Sequence, residues 1–410
     1  MRILFLADNF PPERNAQASR VYERACYWVR WGHEVTVVTC APNFPEGKLF
    51  EGYENRWHAV EEMNGIRVVR VKTFIAANAG AGLRTLDFLS YMVTGFWAGS
   101  REPRPELVVA TSPQFFAAIA GWGLGLVRGV PFVMELSDLW PDSIIAVGAM
   151  KKNFALTLLE KLELFLYRQS ARVVALTGSF KANLVRRGID EWKVDVVING
   201  VDLERYAPRV RNDAVGREWG IEPGDFVVGY IGTHGMAHAL ENVLRAAELM
   251  RGKPVKFLFV GAGAERDRLV TLRDSLQLQN VVFVPAQGKD KIQDYWSLCD
   301  VALVHLKDTP TFETVIPSKI FEAMAMKLPI LLASPRGEAS RIVEGDGVGV
   351  WVAPENPGEL AGAVGRMMGD RAETERFAER AVEAAPRYSR EKQARDMLRS
   401  LVLAAGVEKA

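Results

Sequence analysis

The chain has 410 residues, of which 49% are apolar and 25% charged, and its formal net charge is +1 at pH 7. This length exceeds what one ordinary hydrophobic core accommodates, so two domains are expected. The balanced charge excludes a dominant basic surface, and nucleic acid is therefore not predicted as a partner. The three cysteines, Cys26, Cys40 and Cys299, stand far apart in apolar runs, which predicts buried thiols, a cytoplasmic location and no zinc site.

One apolar run near the middle of the first half is a candidate membrane span. Residues 107–127 contain no charged residue and are long enough to cross a bilayer. Ser112-Pro113-Gln114 and repeated glycines interrupt the run, so a buried strand, a turn and a buried helix are favoured. The first eight residues are too short and too polar for a signal peptide.

Short β-branched or apolar runs alternate with helical patterns, which is typical of parallel sheets covered by helices. In the first half the predicted strands are Arg2–Ala7, Val35–Thr39, Ile66–Val71, Leu107–Ala110, Phe132–Leu136, Val173–Leu176 and Val194–Ile198. The predicted helices are Ala18–Trp31, Arg84–Ala98, Phe115–Val127, Phe154–Gln169 and Phe180–Arg187. The connection at residues 41–65 is rich in proline, glycine and aromatic residues and is a candidate functional loop.

A polar segment, residues 204–224, is predicted to be a linker, and a second alternating series follows it. Its predicted strands are Phe226–Ile231, Val255–Val260, Val281–Val284, Val301–Val304, Ile330–Ala333 and Gly349–Val352. An α/β fold is expected, with two doubly wound domains, 1–203 and 204–385, facing across a cleft. The C-terminal helix, about 386–410, is expected to pack back on the first domain. Ligands are expected at the carboxyl ends of the strands.

The segment Pro317–Met326 carries the most informative pattern in the chain. Ser318 is a predicted N-cap after Pro317, and a helix N-terminus offers free N–H groups to an anion. Lys319 adds a charge suited to phosphate, and Glu322 lies on the same face and can accept hydrogen bonds from a sugar diol. Phosphate plus diol describes a nucleotide-sugar. The alternative is an ordinary helix with a solvated ion pair.

Motifs in order along the chain resemble those of glycosyltransferase family 4, retaining transferases of the GT-B fold. They are Asn9-Phe10-Pro11-Pro12-Glu13, Arg20-Val21-Tyr22-Glu23, Gly32 to Thr39, Pro42-Asn43-Phe44-Pro45, Asp138-Leu139-Trp140-Pro141, Asn199-Gly200-Val201-Asp202, Gly232-Thr233-His234-Gly235, Val260 to Glu265 and the Pro317-Ser318-Lys319 helix. The chain is most similar to the bacterial subgroup typified by N-acetyl-L-fucosamine transferases of O-antigen assembly. The resemblance implies an N-terminal acceptor-binding domain and a C-terminal nucleotide-sugar-binding domain.

The resemblance also implies which residues bind the donor. The loop Gly232–Gly235 ends the first strand of the second domain, where a diphosphate is expected. Gly261-Ala262-Gly263 lacks the third glycine of a dinucleotide fingerprint and is implied to line the nucleotide pocket. Lys319 takes up the phosphate charge in place of an Arg and a Lys of many relatives. The implied donor residues are Gly232, Thr233, His234, Gly235, Gly261, Gly263, Gln287, Thr314, Val315, Ile316, Ser318, Lys319 and Glu322.

Three departures from the family pattern affect the catalytic residues. Thr314 stands where the first glutamate of the family's paired motif is expected, and Glu313 is one residue out of place. Ser137 replaces a histidine common in relatives, which leaves Asp138 as the cleft carboxylate, with Glu135 and Asp142 as weaker candidates. A glycine pair of the first loop is replaced by Asn15-Ala16-Gln17-Ala18. The predicted catalytic residues are Lys319, Glu313 and Asp138, and the predicted acceptor-binding residues are Asn15, Ala16, Arg20 and Asp138.

No metal or other cofactor is expected. The sequence has no Asp-x-Asp, the pair that holds a diphosphate-bound cation in other transferase folds. His234 and His238 have a metal spacing, but the glycine-flanked loop is a poor helix, so contact of His234 with phosphate or sugar is favoured.

The implied reaction is transfer, with retention, of a sugar from a UDP-sugar to a hydroxyl of a polyprenyl-diphosphate-linked glycan in cell-surface polysaccharide synthesis. The sugar would be N-acetyl-L-fucosamine or another N-acetylamino sugar. A nucleotide-sugar epimerase of the same fold and a non-catalytic sugar-nucleotide-binding subunit are alternatives. The sequence does not determine the donor sugar, the choice between UDP and GDP, the acceptor or the oligomeric state.

Such an acceptor implies peripheral contact with the inner face of the plasma membrane. Two apolar helices with basic residues, Arg84–Ala98 and the one following Lys151 and Lys152, are candidates for an amphipathic docking surface in the N-terminal domain. Burial of both helices inside that domain is the alternative.

Overall fold

The computed structural model describes residues 1–13, 15–44, 46–75, 81–112, 115–139 and 154–406. The chain forms two compact units. The first unit is Met1–Asn199 together with Arg390–Ala410, and the second unit is Gly200–Ser389. The sequence places these boundaries at 203 and 385.

The first unit is built on an eight-stranded sheet with the order β3-β4-β2-β1-β5-β6-β7-β8. Its strands are β1 Arg2–Leu6, β2 Glu34–Cys40, β3 His58–Met63, β4 Ile66–Val71, β5 Leu107–Thr111, β6 Phe132–Leu136, β7 Arg172–Ala175 and β8 Val194–Val196. Its described helices are α1 Ala16–Arg30, α2 Ala81–Gly99, α3 Phe115–Arg128, α4 Phe154–Gln169 and α5 Gly178–Arg186, with α14 Arg390–Ala405 from the end of the chain.

The second unit is built on a six-stranded parallel sheet with the order β11-β10-β9-β12-β13-β14. Its strands are β9 Phe226–Ile231, β10 Val255–Val260, β11 Val281–Val284, β12 Val301–His305, β13 Ile330–Ala333 and β14 Gly349–Val352. Its α-helices are α6 Asp213–Glu218, α7 Glu241–Leu249, α8 Arg266–Ser275, α9 Ile292–Trp296, α10 Lys319–Ala325, α11 Glu338–Gly345, α12 Pro357–Gly369 and α13 Arg371–Ala384. Short 3-10 helices include Met236–His238 and Pro310–Thr314.

Every strand predicted from the sequence is confirmed, with its ends displaced by two residues at most. Two expectations are wrong. The loop at residues 41–65 contains β3, which pairs antiparallel with β4 at the edge of the sheet. The linker at residues 204–224 contains α6, and Arg211 just before that helix donates to the carbonyl of Leu298 at 2.8 Å.

Strand β1 shows why the first sheet is covered on both faces. Ile3 and Phe5 are buried in one apolar cluster, whereas Leu4 and Leu6 are buried in another. Because successive side chains of a strand point to opposite faces, a continuous apolar run is required here. The same holds for β9, which is buried along its whole length.

Helix α14 belongs to the core of the first unit although it ends the chain. Met397 and Leu401 are buried in the same cluster as Ile3 and Phe5. The indole Nε1 of Trp28 donates to the carbonyl of Ala394 at 2.9 Å. The last helix therefore completes one face of the first sheet.

The apolar run at residues 107–127 forms β5 and most of α3, with 113 and 114 outside the described residues. Over the described part of the chain, no helix combines the length and apolarity that crossing a membrane requires. The predicted strand and helix are confirmed, and most of their residues are buried, but Leu126 and Val127 at the end of the run are exposed.

Strand β9 lies at the point where the order of the second sheet reverses. The chain leaves β9 toward β10 on one side, and β12 flanks β9 on the other. Loops at the carboxyl ends of such neighbouring strands diverge and leave a crevice. The loops after β9 and β10 and the segment between β12 and α10 are therefore the place to look for a site.

Candidate functional site

Two glycine-containing loops pack directly on each other at the carboxyl edge of the second sheet. A Cβ atom on Gly261 would lie 2.0 Å from the carbonyl oxygen of Gly232, and one on Gly263 would lie 2.4 Å from that of His234. Both glycines have φ above +150°, a region that residues with a Cβ rarely adopt. The glycines of the 261–263 motif thus allow the loop after β10 to approach the loop after β9.

The packing of these loops uses half of the amide groups in Gly232–Gly235. Gly232 donates to the carbonyl of Val260 at 2.9 Å, and His234 donates to that of Ala262 at 2.8 Å. The N–H groups of Thr233 and Gly235 have no acceptor among the described residues. These two amides, rather than all four, are available to a ligand.

Lys319 brings a buried cation to this loop. The residue is 9% exposed, and its Nζ atom has no hydrogen-bond partner among the described residues. A Cβ atom on Gly232 would lie 3.1 Å from Nζ, so the ammonium reaches the loop backbone. Burial lowers the pKa of Lys319 to about 7, although Glu322 acts to raise the pKa. A diphosphate entering here would meet a lysine Nζ that has no hydrogen-bond partner among the described residues, and its negative charge would favour the protonated form.

The ring of Tyr230 lies against this ammonium. Lys319 Nζ is 3.7 Å from the ring centroid, and such a contact stabilises a desolvated cation by about 2 kcal/mol. The Tyr230 hydroxyl donates to the carbonyl of Thr233 at 2.7 Å. Sequence reasoning missed this residue, because a tyrosine in the run Val-Val-Gly-Tyr-Ile is indistinguishable from an ordinary core aromatic.

The histidines near Lys319 are buried, and burial favours their neutral form. The ring of His234 is fully buried beside Tyr230, Phe259 and Phe283. Burial, Arg266 and Lys319 lower the pKa of His234 to about 4. Its N–H and carbonyl are both bonded within the loops. Both ring nitrogens of His234 are buried and have no hydrogen-bond partner among the described residues, and the expected contact of His234 with phosphate or sugar stays a prediction.

His238 and His305 form a reciprocal pair beneath the loop. Nδ1 of His305 lies 2.8 Å from the carbonyl oxygen of His238, and Nδ1 of His238 lies 3.2 Å from that of His305. Burial is the main cause that lowers the pKa of each to about 4. The pair ties the segment after β9 to the end of β12.

Ser318 is the N-cap residue of α10, as expected, but its hydroxyl does not make the expected capping hydrogen bond. Ser318 has helical torsion angles, φ −60° and ψ −25°, and its side chain makes no capping hydrogen bond. The first turn begins one residue earlier, because the Ile320 N–H donates to the carbonyl of Pro317 at 3.1 Å. Glu322 lies in the first turn of α10, three residues after Lys319, as the spacing predicts.

The residues expected to hold the donor sugar lie just before α10. Glu313 and Thr314 belong to the 3-10 helix Pro310–Thr314, and the Glu313 side chain is exposed. A Cβ atom on Gly337 would lie 2.0 Å from the Glu313 carbonyl oxygen, so this turn packs closely on the start of α11. Val315 is half-buried and Ile316 is buried.

Two further candidate residues follow neighbouring strands of the second sheet. Gln287, predicted near the base, follows β11 and its side-chain amide donates to the carbonyl of Pro285 at 3.1 Å. Arg266, which sequence reasoning assigned no binding role, begins α8, and its positive charge lowers the pKa of His234. Its buried Nε has no partner among the described residues. Arg266 is therefore a second cation beside these loops.

The predicted acceptor residues of the first unit have different environments. Asn15 caps α1, accepting from the Ala18 N–H at 2.8 Å, and Ala16 is exposed. Arg20 is 4% exposed and pairs with Glu135, whose Oε1 lies 3.1 Å from Arg20 Nε. Asp138 follows β6 and is half-buried. Arg20 is therefore part of the interior, and Asp142 lies outside the described residues.

A group of carboxyl side chains lies near the end of β1. Asp8 accepts from Gln17 Nε2 at 2.7 Å and from Asn9 Nδ2 at 2.8 Å, yet burial raises its pKa. Asp87 on α2 has its pKa raised to about 7, chiefly by burial and then by the Asp8 charge. Sequence reasoning missed Asp87 because the residue is isolated in an apolar helix. Within the described ranges, no three acidic, histidine or cysteine side chains have a metal-binding arrangement.

Known protein families match the chain in two blocks. Residues 15–200 match the glycosyl transferase 4-like domain, and residues 213–384 match glycosyl transferases group 1. The putative colanic acid biosynthesis glycosyl transferase WcaI of Escherichia coli is 24% identical over 89% of this chain and 91% of its own length. A GDP-mannose-dependent alpha-mannosyltransferase of Mycobacterium tuberculosis is 28% identical over 82% of this chain and 80% of its own length.

A solved structure shares the fold. Anabaena Alr3699/HepE in complex with UDP and glucose superposes with a TM-score of 0.71, covering 97% of this chain and 98% of its own, at 17% sequence identity. The two Rossmann-like α/β domains match the GT-B architecture.

Proposed function

Because this chain is a glycosyltransferase built from a 4-like domain followed by a group 1 domain, we propose that it transfers a sugar from a UDP-sugar to a hydroxyl of a lipid-linked glycan. The proposed setting is the synthesis of a cell-surface polysaccharide, and the proposed sugar is N-acetyl-L-fucosamine or another N-acetylamino sugar. The observation that carries the proposal is the buried Lys319 ammonium, which has no described hydrogen-bond partner and lies beside the loop after β9.

The chemistry of the loop supports a diphosphate donor. The ammonium of Lys319 and the N–H groups of Thr233 and Gly235 offer donors to phosphate oxygens. Their effect grows as negative charge accumulates on the leaving diphosphate. Glu322 is proposed to accept hydrogen bonds from the ribose hydroxyls. Glu313 is proposed to assist Thr314, Val315 and Ile316 in holding the sugar.

The proposed reaction breaks the bond between the anomeric carbon and the diphosphate oxygen and forms one to the acceptor oxygen on the same face of the sugar. The acceptor proton passes to the departing diphosphate, which leaves as UDP. The first unit is proposed to bind the acceptor near Asn15, Ala16 and Asp138. We propose that no metal is required, because the sequence lacks Asp-x-Asp and Lys319 supplies the positive charge.

The name of the Escherichia coli relative supports a role in polysaccharide synthesis, and the ligands of the Anabaena structure support UDP. The name of the mycobacterial relative makes GDP the specific alternative. A polyprenyl-diphosphate carrier for the acceptor would place the enzyme at the inner face of the plasma membrane.

The decisive experiment measures nucleotide release from UDP- and GDP-sugars with and without lipid-linked acceptors. The proposal expects slow UDP release alone and much faster release with the correct acceptor. Release that is fast and independent of acceptor would favour an epimerase. Tight UDP binding without release for any combination would favour a non-catalytic subunit. Addition of EDTA is expected to leave turnover unchanged, and loss of turnover that magnesium restores would contradict the metal-free mechanism.

A further inference from the structure

Tyr230 contacts both parts of the proposed diphosphate site without being able to touch a ligand. Its ring centroid is 3.7 Å from Lys319 Nζ, and its hydroxyl donates to the Thr233 carbonyl at 2.7 Å. The residue itself is 1% exposed. One buried side chain on β9 therefore joins the cation on α10 to the loop that follows β9.

An aromatic ring suits this position better than a carboxylate. A carboxylate would hold the ammonium by accepting its N–H bonds, and those bonds would then compete with phosphate oxygens. The face of a ring attracts the cation and leaves the N–H donors free. This agrees with the lack of any described hydrogen-bond partner for Lys319 Nζ.

We propose that Tyr230 is a positioning residue of the donor site, whose ring carries the Lys319 ammonium and whose hydroxyl holds the Thr233 end of the phosphate loop. The inference rests on the proposed UDP-sugar activity and adds to it a residue that acts only through other residues. Removing the ring is expected to make Lys319 harder to protonate, whereas removing only the hydroxyl is not.

The groups around Lys319 allow this effect to be seen in a pH profile. Glu322 faces it from its own helix, His234 and His238 from the segment after β9, and His305 from β12. The charge of Arg266 acts on the pKa of His234. The pKa of each of the three histidines is lowered to about 4, so they stay neutral between pH 6 and 9. Lys319, with a pKa of about 7, titrates in that range.

The experiment measures UDP dissociation constants by calorimetry for the wild type, Tyr230→Phe and Tyr230→Leu at pH 6.0 and 8.5. Protonation of UDP itself is common to all three proteins, so ratios between them report the protein. We take the ring to raise the pKa of Lys319 by about one. Tyr230→Leu should then bind UDP about twofold more weakly than Tyr230→Phe at pH 6.0 and about tenfold more weakly at pH 8.5, because a smaller fraction of Lys319 is protonated. Tyr230→Phe keeps the wild-type dependence on pH.

A constant ratio between the Leu and Phe variants at both pH values would reduce the role of Tyr230 to packing and overturn the inference. Should Tyr230→Leu fail to fold, 4-fluoro- and 3,4,5-trifluorophenylalanine at position 230 keep the shape and weaken the ring face stepwise. The loss of UDP affinity at pH 8.5 should then increase with the number of fluorine atoms. An affinity that does not change with fluorination would overturn the inference.

The failure of the proposed function is distinguishable. A wild type that does not bind UDP rejects the proposed donor, and titration with inorganic pyrophosphate then tests Tyr230 alone. The inference is supported if the pyrophosphate affinities of the Leu and Phe variants differ more at pH 8.5 than at pH 6.0, as expected for UDP. No binding of pyrophosphate, or binding that is equal in the Leu and Phe variants, overturns it.

Discussion

At the scale of single residues, Lys319 is placed where it harms folding. A buried ammonium without a hydrogen-bond acceptor is unfavourable. Burial therefore lowers the pKa of Lys319 to about 7. A buried lysine beside a glycine loop is, however, suited to bind a diphosphate that enters and leaves the site.

Lys319→Ala is expected to weaken UDP binding and turnover together, because the ammonium meets a charge that increases in the transition state. Glu322→Gln is expected to weaken nucleotide binding by about tenfold with a smaller effect on turnover at saturating donor. Lys327→Ala, at an exposed lysine paired with Glu375, is the matched control and should change neither. Unchanged UDP affinity in both test variants would reject the assignment of α10 as the donor site.

Lys319→Met is expected to raise the unfolding temperature while abolishing donor binding. The unfolded chain binds a proton at this lysine up to about pH 10.4, whereas the folded protein releases it near a pKa of about 7. The unfavourable contribution of Lys319 is on the order of 4 kcal/mol at pH 7.5 and falls as the pH approaches the unfolded value. The stabilisation should therefore be about 5 °C or more at pH 7.5 and less than half of that at pH 9.5.

Calorimetric unfolding at the two pH values checks this prediction. Lys327→Met supplies the comparison for replacing an exposed lysine. A gain for Lys319→Met that is the same at pH 7.5 and 9.5 would mean that the lysine is charged in the folded protein across the whole range.

Single residues of the site were partly predictable. The spacing of Lys319 and Glu322 is local, and the structure places both in the first turn of α10. Tyr230 could not be found, because its role arises from the neighbourhood of β9 and α10, which are separated by almost ninety residues in the sequence. The N-cap position of Ser318 was predicted, but the missing hydroxyl bond was not, because it depends on the helical torsion angles that Ser318 adopts.

At the scale of elements, the loops after β9 and β10 form one packed unit. Gly261→Ala should disrupt it, since the new methyl group would lie 2.0 Å from the Gly232 carbonyl oxygen at a φ of +152°. We expect destabilisation by about 3 kcal/mol and loss of UDP binding. Gly365→Ala, in α12 with nothing within 4 Å of the added carbon, should be neutral or slightly stabilising. Thermal unfolding and calorimetry of both variants test this, and a neutral Gly261→Ala would contradict the packing argument.

Helix α2 presents an apolar surface on the first unit. Leu83 and Leu86 are 47% and 51% exposed, and Phe74, held near the helix through its N–H bond to Ser90 at 2.7 Å, is 46% exposed. Arg84 is exposed beside them. Arg84 and Leu86 belong to the expected docking surface, of which Val93 on α2 and Leu158 on α4 are also exposed, whereas Phe74 and Leu83 lie just outside the predicted range. Trp97 is half-buried under Arg101, and Lys151 and Lys152 lie outside the described residues.

Replacing Leu83 and Leu86 together by serine is expected to weaken binding to anionic vesicles about tenfold, because apolar burial drives insertion at the interface. Arg84→Ala should weaken binding to anionic vesicles but not to neutral ones. Leu403→Ser, at an equally exposed leucine of α14, is the control. Flotation that shows the same binding to anionic and neutral vesicles would exclude an electrostatic anchor.

Strand β3 and helix α6 were not predicted from the sequence, and for both the reason is that they lack a long apolar run. The strand β3, His58–Met63, has its residues alternately exposed and half-buried at the edge of the sheet, so it lacks the continuous apolar run of its parallel neighbours. Its pairing with β4 is made across a two-residue turn, Asn64 and Gly65. Helix α6 is six residues long and largely charged. The runs buried on both faces were predicted well because burial alone determines their composition.

At the scale of the whole molecule, two α/β units follow from the alternation of strands and helices, and the order of the sheets places the donor loops at the reversal point of the second one. The expected packing of the last helix on the first unit is confirmed, although no local pattern in the sequence requires it. Its apolar face is typical of many surface helices, and the sequence does not reveal which sheet that face covers.

This assignment has a consequence for the order in which the protein can assemble during its synthesis. The apolar face that holds Ile3, Phe5 and Trp28 is closed by Met397 and Leu401, which a ribosome adds almost four hundred residues later. The second unit is contiguous in sequence, from Gly200 to Ser389, and all of its residues are synthesised before those of α14. The unit whose synthesis begins first is thus completed after the second unit, and until α14 has been synthesised its open face is a natural substrate for chaperones that recognise exposed apolar surface.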